Sequence, residues 1–103
     1  MSLDVRLYAE VYSANITHNL GKMAMEAGIY EVLWRPDEAG ITTAGELIKP
    51  LSEGLAKLTA DPDHYKTFDS PNGWGLYIHF VPFVSKYLAA CIANPDARVE
   101  VSR

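Results

Sequence analysis

The stretch Asn72-Gly73-Trp74-Gly75, followed by the apolar run Leu76 to Ile92, decides how this chain is read. Glycine allows positive φ or close backbone approach, so a tryptophan between two glycines marks a sharp turn that presses an indole against something. Behind it, Leu76, Phe80, Val84, Tyr87, Leu88 and Cys91 recur at helical spacing. The spacing predicts a central helix to about Ala93, with Pro82 as an interior irregularity and Asn94-Pro95-Asp96 as its end.

Outward from that helix, both chain ends read as strands. Leu3, Val5, Leu7, Ala9 and Val11 alternate with Asp4, Arg6, Tyr8, Glu10 and Tyr12, the period of a strand with one wet face. Val99 and Val101 alternate with Arg98, Glu100 and Ser102. As the only two strands read, they are expected to pair antiparallel, with Arg98 and Glu100 facing the charges at Arg6 and Glu10. Such a ribbon needs a covering helix layer, and its open edge invites a second copy.

Between the strands the chain reads as helices. Ser13 to Asn19 is a polar patch containing a helix start, with Asn15 as N-cap; Ile16, Leu20, Met23, Ala24 and Ala27 form the stripe, and Gly28 ends it. Gly21 within that helix hints at a close contact. Ile29 to Trp34 is a short helix or turn stopped by Arg35-Pro36. Thr43-Ala44-Gly45-Glu46 is a capping box that opens a helix to about Ala60, with Leu47, Leu51, Leu55 and Leu58 on one face and a kink or break at Pro50. Asp61-Pro62 restarts a single turn through His64, Tyr65 and Phe68. The expected fold is α+β and mostly helical: one domain over residues 1–103, with three to four helices packed on a small antiparallel ribbon formed by the N- and C-terminal strands.

Composition bounds the function. A chain of 103 residues, 49% hydrophobic and 21% charged, can build one modest core without staples. A net charge of −4 with scattered basic residues argues against a nucleic-acid partner, because phosphate neutralisation needs clustered Lys and Arg. One cysteine allows no intramolecular disulfide, no membrane-length apolar stretch occurs, and the amino terminus lacks signal-peptide character. A cytoplasmic protein is expected.

The motifs Asn15-x-Thr17-x-Asn19, Ala27-Gly28-Ile29-Tyr30 with Leu33-Trp34-x-Pro36, Asn72-Gly73-Trp74-Gly75-x-Tyr77 and Asn94-Pro95-Asp96-Ala97-x-Val99-x-Val101-Ser102 run over nearly the whole chain. Together they resemble a family of small uncharacterised proteins of bacteriophages and bacterial chromosomes. The resemblance implies a phage or mobile-element origin, and with it the cytoplasm of a host cell; it carries no activity, cofactor or catalytic residue.

Two clusters are candidate ligand-binding residues. Asn15, Thr17, His18 and Asn19 combine amides, a hydroxyl and an imidazole at a helix start, suited to an anion or polar ligand; the commoner role of such residues is capping, with His18 solvated. Asn72, Trp74 and Tyr77 offer aromatic surfaces to a base, a sugar or a partner's side chain. Tryptophan is highly buried on average, so the reading favoured here makes Trp74 a lid on the core and Asn72 a cap of the last helix. His18, His64 and His79 lack metal-ligand spacing, although His64 with Asp61, Asp63 and His18 could assemble in space. Cys91 lies on the core stripe, and no nucleophile or phosphate-loop motif occurs. No catalytic residue, metal or cofactor is therefore assigned. The leading expectation is a phage-type accessory protein acting through protein contacts, as a homodimer or small oligomer, with a host or phage protein as a further partner. The alternative is a small-molecule-binding protein or enzyme with a pocket between residues 15–19 and 72–77; convergence of His18, Asn19, Asn72 and Trp74 on one pocket would favour it.

Overall fold

The computed structural model describes residues 2–8 and 11–103. In chain order the elements are β1 (Ser2–Leu7), β2 (Tyr12–Thr17), a 3-10 turn (His18–Leu20), α1 (Gly21–Glu26), α2 (Tyr30–Trp34), α3 (Gly45–Ala60), α4 (Pro62–Lys66), α5 (Tyr77–Ala93) and β3 (Val99–Ser102). The fold is α+β, with helices on one face of an antiparallel sheet ordered β2-β1-β3. The terminal strands do pair antiparallel, and Arg6 stands opposite Glu100. Arg98 lies just before β3 with its guanidinium 5.2 Å from the Tyr8 ring centroid. The expected facing of Glu10 falls outside the described residues.

The sheet departs from the expected ribbon by one strand. Leu7 ends β1, Tyr8 and Val11 are exposed turn residues, and the chain returns as β2. The segment 13–17 is thus strand, not a helix start, and Asn15 sits opposite Asp4 rather than at an N-cap. The physical cause is legible afterwards: Tyr12, Ala14 and Ile16 pair with Leu7, Val5 and Leu3 on the apolar face, while Ser13, Asn15 and Thr17 share the wet face. Ile16 consequently belongs to the sheet. Thr17 takes over the capping role, its Oγ1 accepting from the Asn19 N–H at 3.3 Å.

The helix layer follows the sequence closely. Gly28 holds φ +77° at the end of α1. Gly21 begins α1, its expected contact being the Tyr30 ring, 3.5 Å from where a Cβ would stand. α3 and α5 run through Pro50 and Pro82 without a break. Glu46 closes half the capping box: its Oε1 accepts from the Thr43 N–H at 3.0 Å and the Thr42 N–H at 3.1 Å. The Thr43 hydroxyl donates to that carboxylate as well, instead of accepting from the Glu46 backbone. These donors, the backbone N–H groups first, hold the Glu46 carboxyl at about 2.

α5 packs against α3 on one side and β2 on the other. Leu47, Leu51, Gly54 and Leu58 of α3 and Phe80, Phe83, Val84, Tyr87 and Cys91 of α5 are buried with Leu3, Val5 and Leu7 in one core. Leu55, expected on that face, is only half-buried; Gly54 takes the place instead. Tyr12 stacks on Tyr87 with ring centroids 5.9 Å apart, tying β2 to the central helix. Among the described residues no helix is long and apolar enough to cross a membrane.

Candidate functional site

The Trp74 loop is built by turn chemistry. The Gly73 N–H donates to the Ser70 carbonyl at 3.1 Å, a β-turn with Pro71 in the position where its fixed φ is favoured. Asn72 Oδ1 then accepts from the Trp74 N–H at 2.9 Å and from the Ser70 hydroxyl at 2.6 Å, an Asx turn. The Ser70 N–H closes the loop on the Gly75 carbonyl at 3.0 Å. Gly73 and Gly75 carry the two positive φ angles, +80° and +111°. Asn72 therefore caps its own turn and not α5. Asp69 serves α5, its Oδ1 accepting from the Tyr77 N–H at 2.6 Å.

This loop is seated on the end of β2. Asn19 Nδ2 donates to the Trp74 carbonyl at 2.8 Å across 55 residues of sequence. Gly75 is buried so tightly that a Cβ there would stand 3.0 Å from Asn19 Cβ and 3.1 Å from Thr17 Cγ2. Trp74 is thus held by its backbone on both sides, yet the residue is 73% exposed. The expected lid on the core is overturned: the hydrogen bonds of residues 70–75 orient the backbone so that the ring points outward, and Trp34 fills the core instead, 2% exposed.

Between the loop and the strand end lies an open cleft of about 940 Å³. Ser2, Asn15, Ile16 and Thr17 line it from the sheet, and His18, Asn19 and Leu20 from the 3-10 turn. Asn72, Gly73, Trp74 and Gly75 form the opposite wall, with His79 from the first turn of α5. Six of the seven residues singled out from sequence, Asn15, Thr17, His18, Asn19, Asn72 and Trp74, converge here. Tyr77 does not: it is half-buried, its hydroxyl donating to the Leu58 carbonyl at 2.8 Å and its ring lying 5.7 Å from the Lys66 ammonium. Ser2 and His79 were missed. For His79 a signal existed, since a residue four after Gly75 on the first helical turn returns to the loop's end of the helix.

His18 is not the solvated residue expected of a plain cap. It is half-buried, edge-on to Trp34 at 6.1 Å, and its Nε2 is shut off from solvent without a hydrogen-bond partner among the described residues. An adjoining cleft of about 580 Å³ shares His18 and Asn19 and contains Lys22 and Asp69.

The hydrogen bonds fix which atoms remain free. Asn72 spends Oδ1 on its turn and keeps its Nδ2 donors; Asn19 spends one Nδ2 proton and keeps Oδ1. Asn15 makes no side-chain hydrogen bond among the described residues. Among the described residues neither cleft imidazole is hydrogen-bonded to a carboxylate or hydroxyl, so no base-and-orienter pair is assembled there on a nucleophile. The arrangement is equipped to hold a molecule. His64 Nε2 lies 2.8 Å from Glu26 Oε2, and Asp61 caps α4 by accepting from the His64 N–H. Among the described residues no group of three or more His, Cys, Asp and Glu could hold a metal ion.

No family model matches the chain, and no curated protein or solved structure matches it either.

Proposed function

We propose that this protein binds a small polar ligand in the cleft between residues 15–20 and the 72–75 loop. One observation supports the reading above others: residues 55 apart in sequence line one cavity, and one of them is an exposed tryptophan on a pinned backbone. The volume falls within the range of small-molecule sites, and the lining mixes apolar surface with a few fixed polar atoms. The test is a small-molecule library screened by ¹H–¹⁵N spectra of the intact chain, reading the backbone amides of residues 15–20 and 72–75 and the Trp74 indole N–H. Saturable shifts confined to these signals support the reading. Shifts that never concentrate there, across chemically diverse compounds, overturn it.

A second reading, protein contact, has its own support. β2 is an edge strand, and the six residues Tyr12–Thr17 contain none of the charges or prolines that usually blunt an edge. Two copies joined antiparallel along β2 would form a six-stranded sheet, giving the homodimer in which an accessory role in a phage or mobile element would act. Sedimentation equilibrium decides it. A dimer that dissociates when Ser13→Lys and Asn15→Lys charge the edge supports this reading, and a monomer at all concentrations removes it. Both readings carry a cytoplasmic location with them, the host's if the chain is phage-encoded, and the free thiol of Cys91 supports such a reducing compartment.

A further inference from the structure

We infer that the ligand of this cleft is an uncharged carbohydrate, with one sugar ring laid on the face of Trp74; the inference rests on the cleft-binding reading above and narrows it. Charge is the first discriminator. Among the described residues lining the cleft there is no Lys, Arg, Asp or Glu. A phosphate or carboxylate ligand would meet only the imidazoles of His18 and His79, without the Arg or Lys fork that such groups ordinarily meet, in a protein of net charge −4. Lys22 lines the adjoining cleft, and Arg6 lines a separate one beside Asn15, where Asp4 accompanies it.

The free polar atoms supply the second discriminator. Asn72 offers donors, Asn19 an acceptor and Asn15 both, with the Ser2 hydroxyl beside them and the Thr17 O–H, whose oxygen already accepts from the Asn19 N–H. A hydroxyl group both donates and accepts, and can rotate to suit either neighbour. A sugar ring presents several such groups around its rim and an apolar C–H face between them. That combination matches a mixed amide rim around an exposed indole. A nucleobase would use the same stacking surface, but offers a few fixed edge groups and, in its common forms, brings phosphate charge.

The chain carries its own reporter. Trp34 is buried and Trp74 exposed, so the long-wavelength part of the tryptophan emission belongs to Trp74. The experiment titrates the full chain with neutral mono- and disaccharides of glucose, galactose, mannose and N-acetylglucosamine. Adenosine and uridine serve as neutral planar competitors, and glucose 6-phosphate as an anionic one. The expected result is a saturable blue shift of the Trp74 emission with at least one neutral saccharide, weaker binding of glucose 6-phosphate than of glucose, and no shift with the nucleosides. Trp74→Ala, a change at an exposed side chain, should weaken binding about ten-fold or more, followed by the backbone amides of residues 15–20. Asn15→Ala, which breaks no hydrogen bond within the described protein, should weaken it by several-fold. Nucleosides or glucose 6-phosphate binding in the cleft in place of neutral sugars would overturn the ligand class and leave the cleft reading standing. Silence of the cleft signals toward every probe, at concentrations up to solubility, would count against both.

Discussion

Gly75→Ala should unseat the loop that carries Trp74, and Gly73→Ala two residues earlier should not. The two glycines share a positive φ but differ in surroundings. At Gly73 a Cβ meets nothing within 4 Å, so alanine pays only for its backbone, about 1–2 kcal/mol for a residue held near the left-handed region. At Gly75 the φ of +111° lies well beyond that region, and strained backbone of this kind costs ~1–3 kcal/mol. The new methyl also arrives 3.0 Å from Asn19 Cβ, 3.1 Å from Thr17 Cγ2 and 3.4 Å from Leu20 Cγ. Carbon atoms prefer roughly 3.5–4.0 Å, and Asn19 cannot retreat freely while its amide donates to the Trp74 carbonyl. Relief of such overpacking adds ~1–3 kcal/mol.

The loss is therefore on the order of 4 kcal/mol at Gly75 against roughly 1.5 at Gly73. For a domain of this size about 4 °C of Tm accompanies each kcal/mol, so melting should fall by roughly 15 °C and 6 °C. Urea and thermal unfolding followed by far-UV circular dichroism measure both variants. Equal losses at the two positions would refute the reasoning. They would mean that the loop is not seated on Thr17, Asn19 and Leu20 in solution, and the cleft would lose one of its walls.

Three further outcomes follow from the same geometry. Gly54→Ala gains about 1 kcal/mol of helix propensity, but its Cβ would overlap the Ile29 side chain, so the net change should be a loss of roughly 1–2 kcal/mol. Adding Ile29→Ala should cost less in that background than in the native chain, and a strictly additive double mutant in urea unfolding would contradict the contact. Glu46→Gln tests the helix cap through pH. The folded carboxyl is held at about 2 against an ordinary 4.5, so its stabilisation is complete above 4.5 and is lost as pH falls through about 2. The native chain should exceed the Gln variant in stability at pH 6, with the gap closing toward pH 2; a gap constant over that range would count against the cap. Cys91 is buried with its thiol pushed up to about 11, so Ellman's reagent at pH 8 should label it only as the protein unfolds in urea. Rapid labelling of the native protein would contradict that burial.

How much of the fold the sequence discloses depends on how strongly each face is contrasted. β1, α3 and α5 are legible because each buries one side fully and wets the other, leaving a clean period. β2 is an edge strand whose inward residues, Tyr12, Ala14 and Ile16, are only half-buried, and one of them is small. Its outward residues, Ser13, Asn15 and Thr17, are the types that also cap helices, so the local chemistry supports two structures and pairing with β1 selects one. The prolines mislead for a related reason. Pro50 and Pro82 remove the backbone donors that would serve the carbonyls of Glu46 and Ile78, but both of those residues are exposed. Solvent can take the lost donor's place, and packing of α3 on α5 holds the helices through the defect.

The site was half legible for a different cause. Residue types that bind ligands are also those that close turns, so Asn72 and Asn15 could be singled out but not assigned. Only three-dimensional hydrogen bonding separates the roles: Asp69 takes the helix, Asn72 takes the turn, and Asn19 reaches the Trp74 carbonyl. Average burial then misjudges Trp74, because it describes side chains whose position is set by the hydrophobic effect, whereas this one is set by its backbone. Burying a large apolar side chain is worth roughly 1.5–3 kcal/mol. A fold that leaves Trp74 73% exposed forgoes most of that gain while using two positive-φ glycines and an Asx turn to hold the ring in place. The forgone free energy is recovered only when another surface covers the indole. Because the backbone is already fixed, little ordering cost is then set against it, and that makes Trp74 the residue on which a binding function at this cleft would turn.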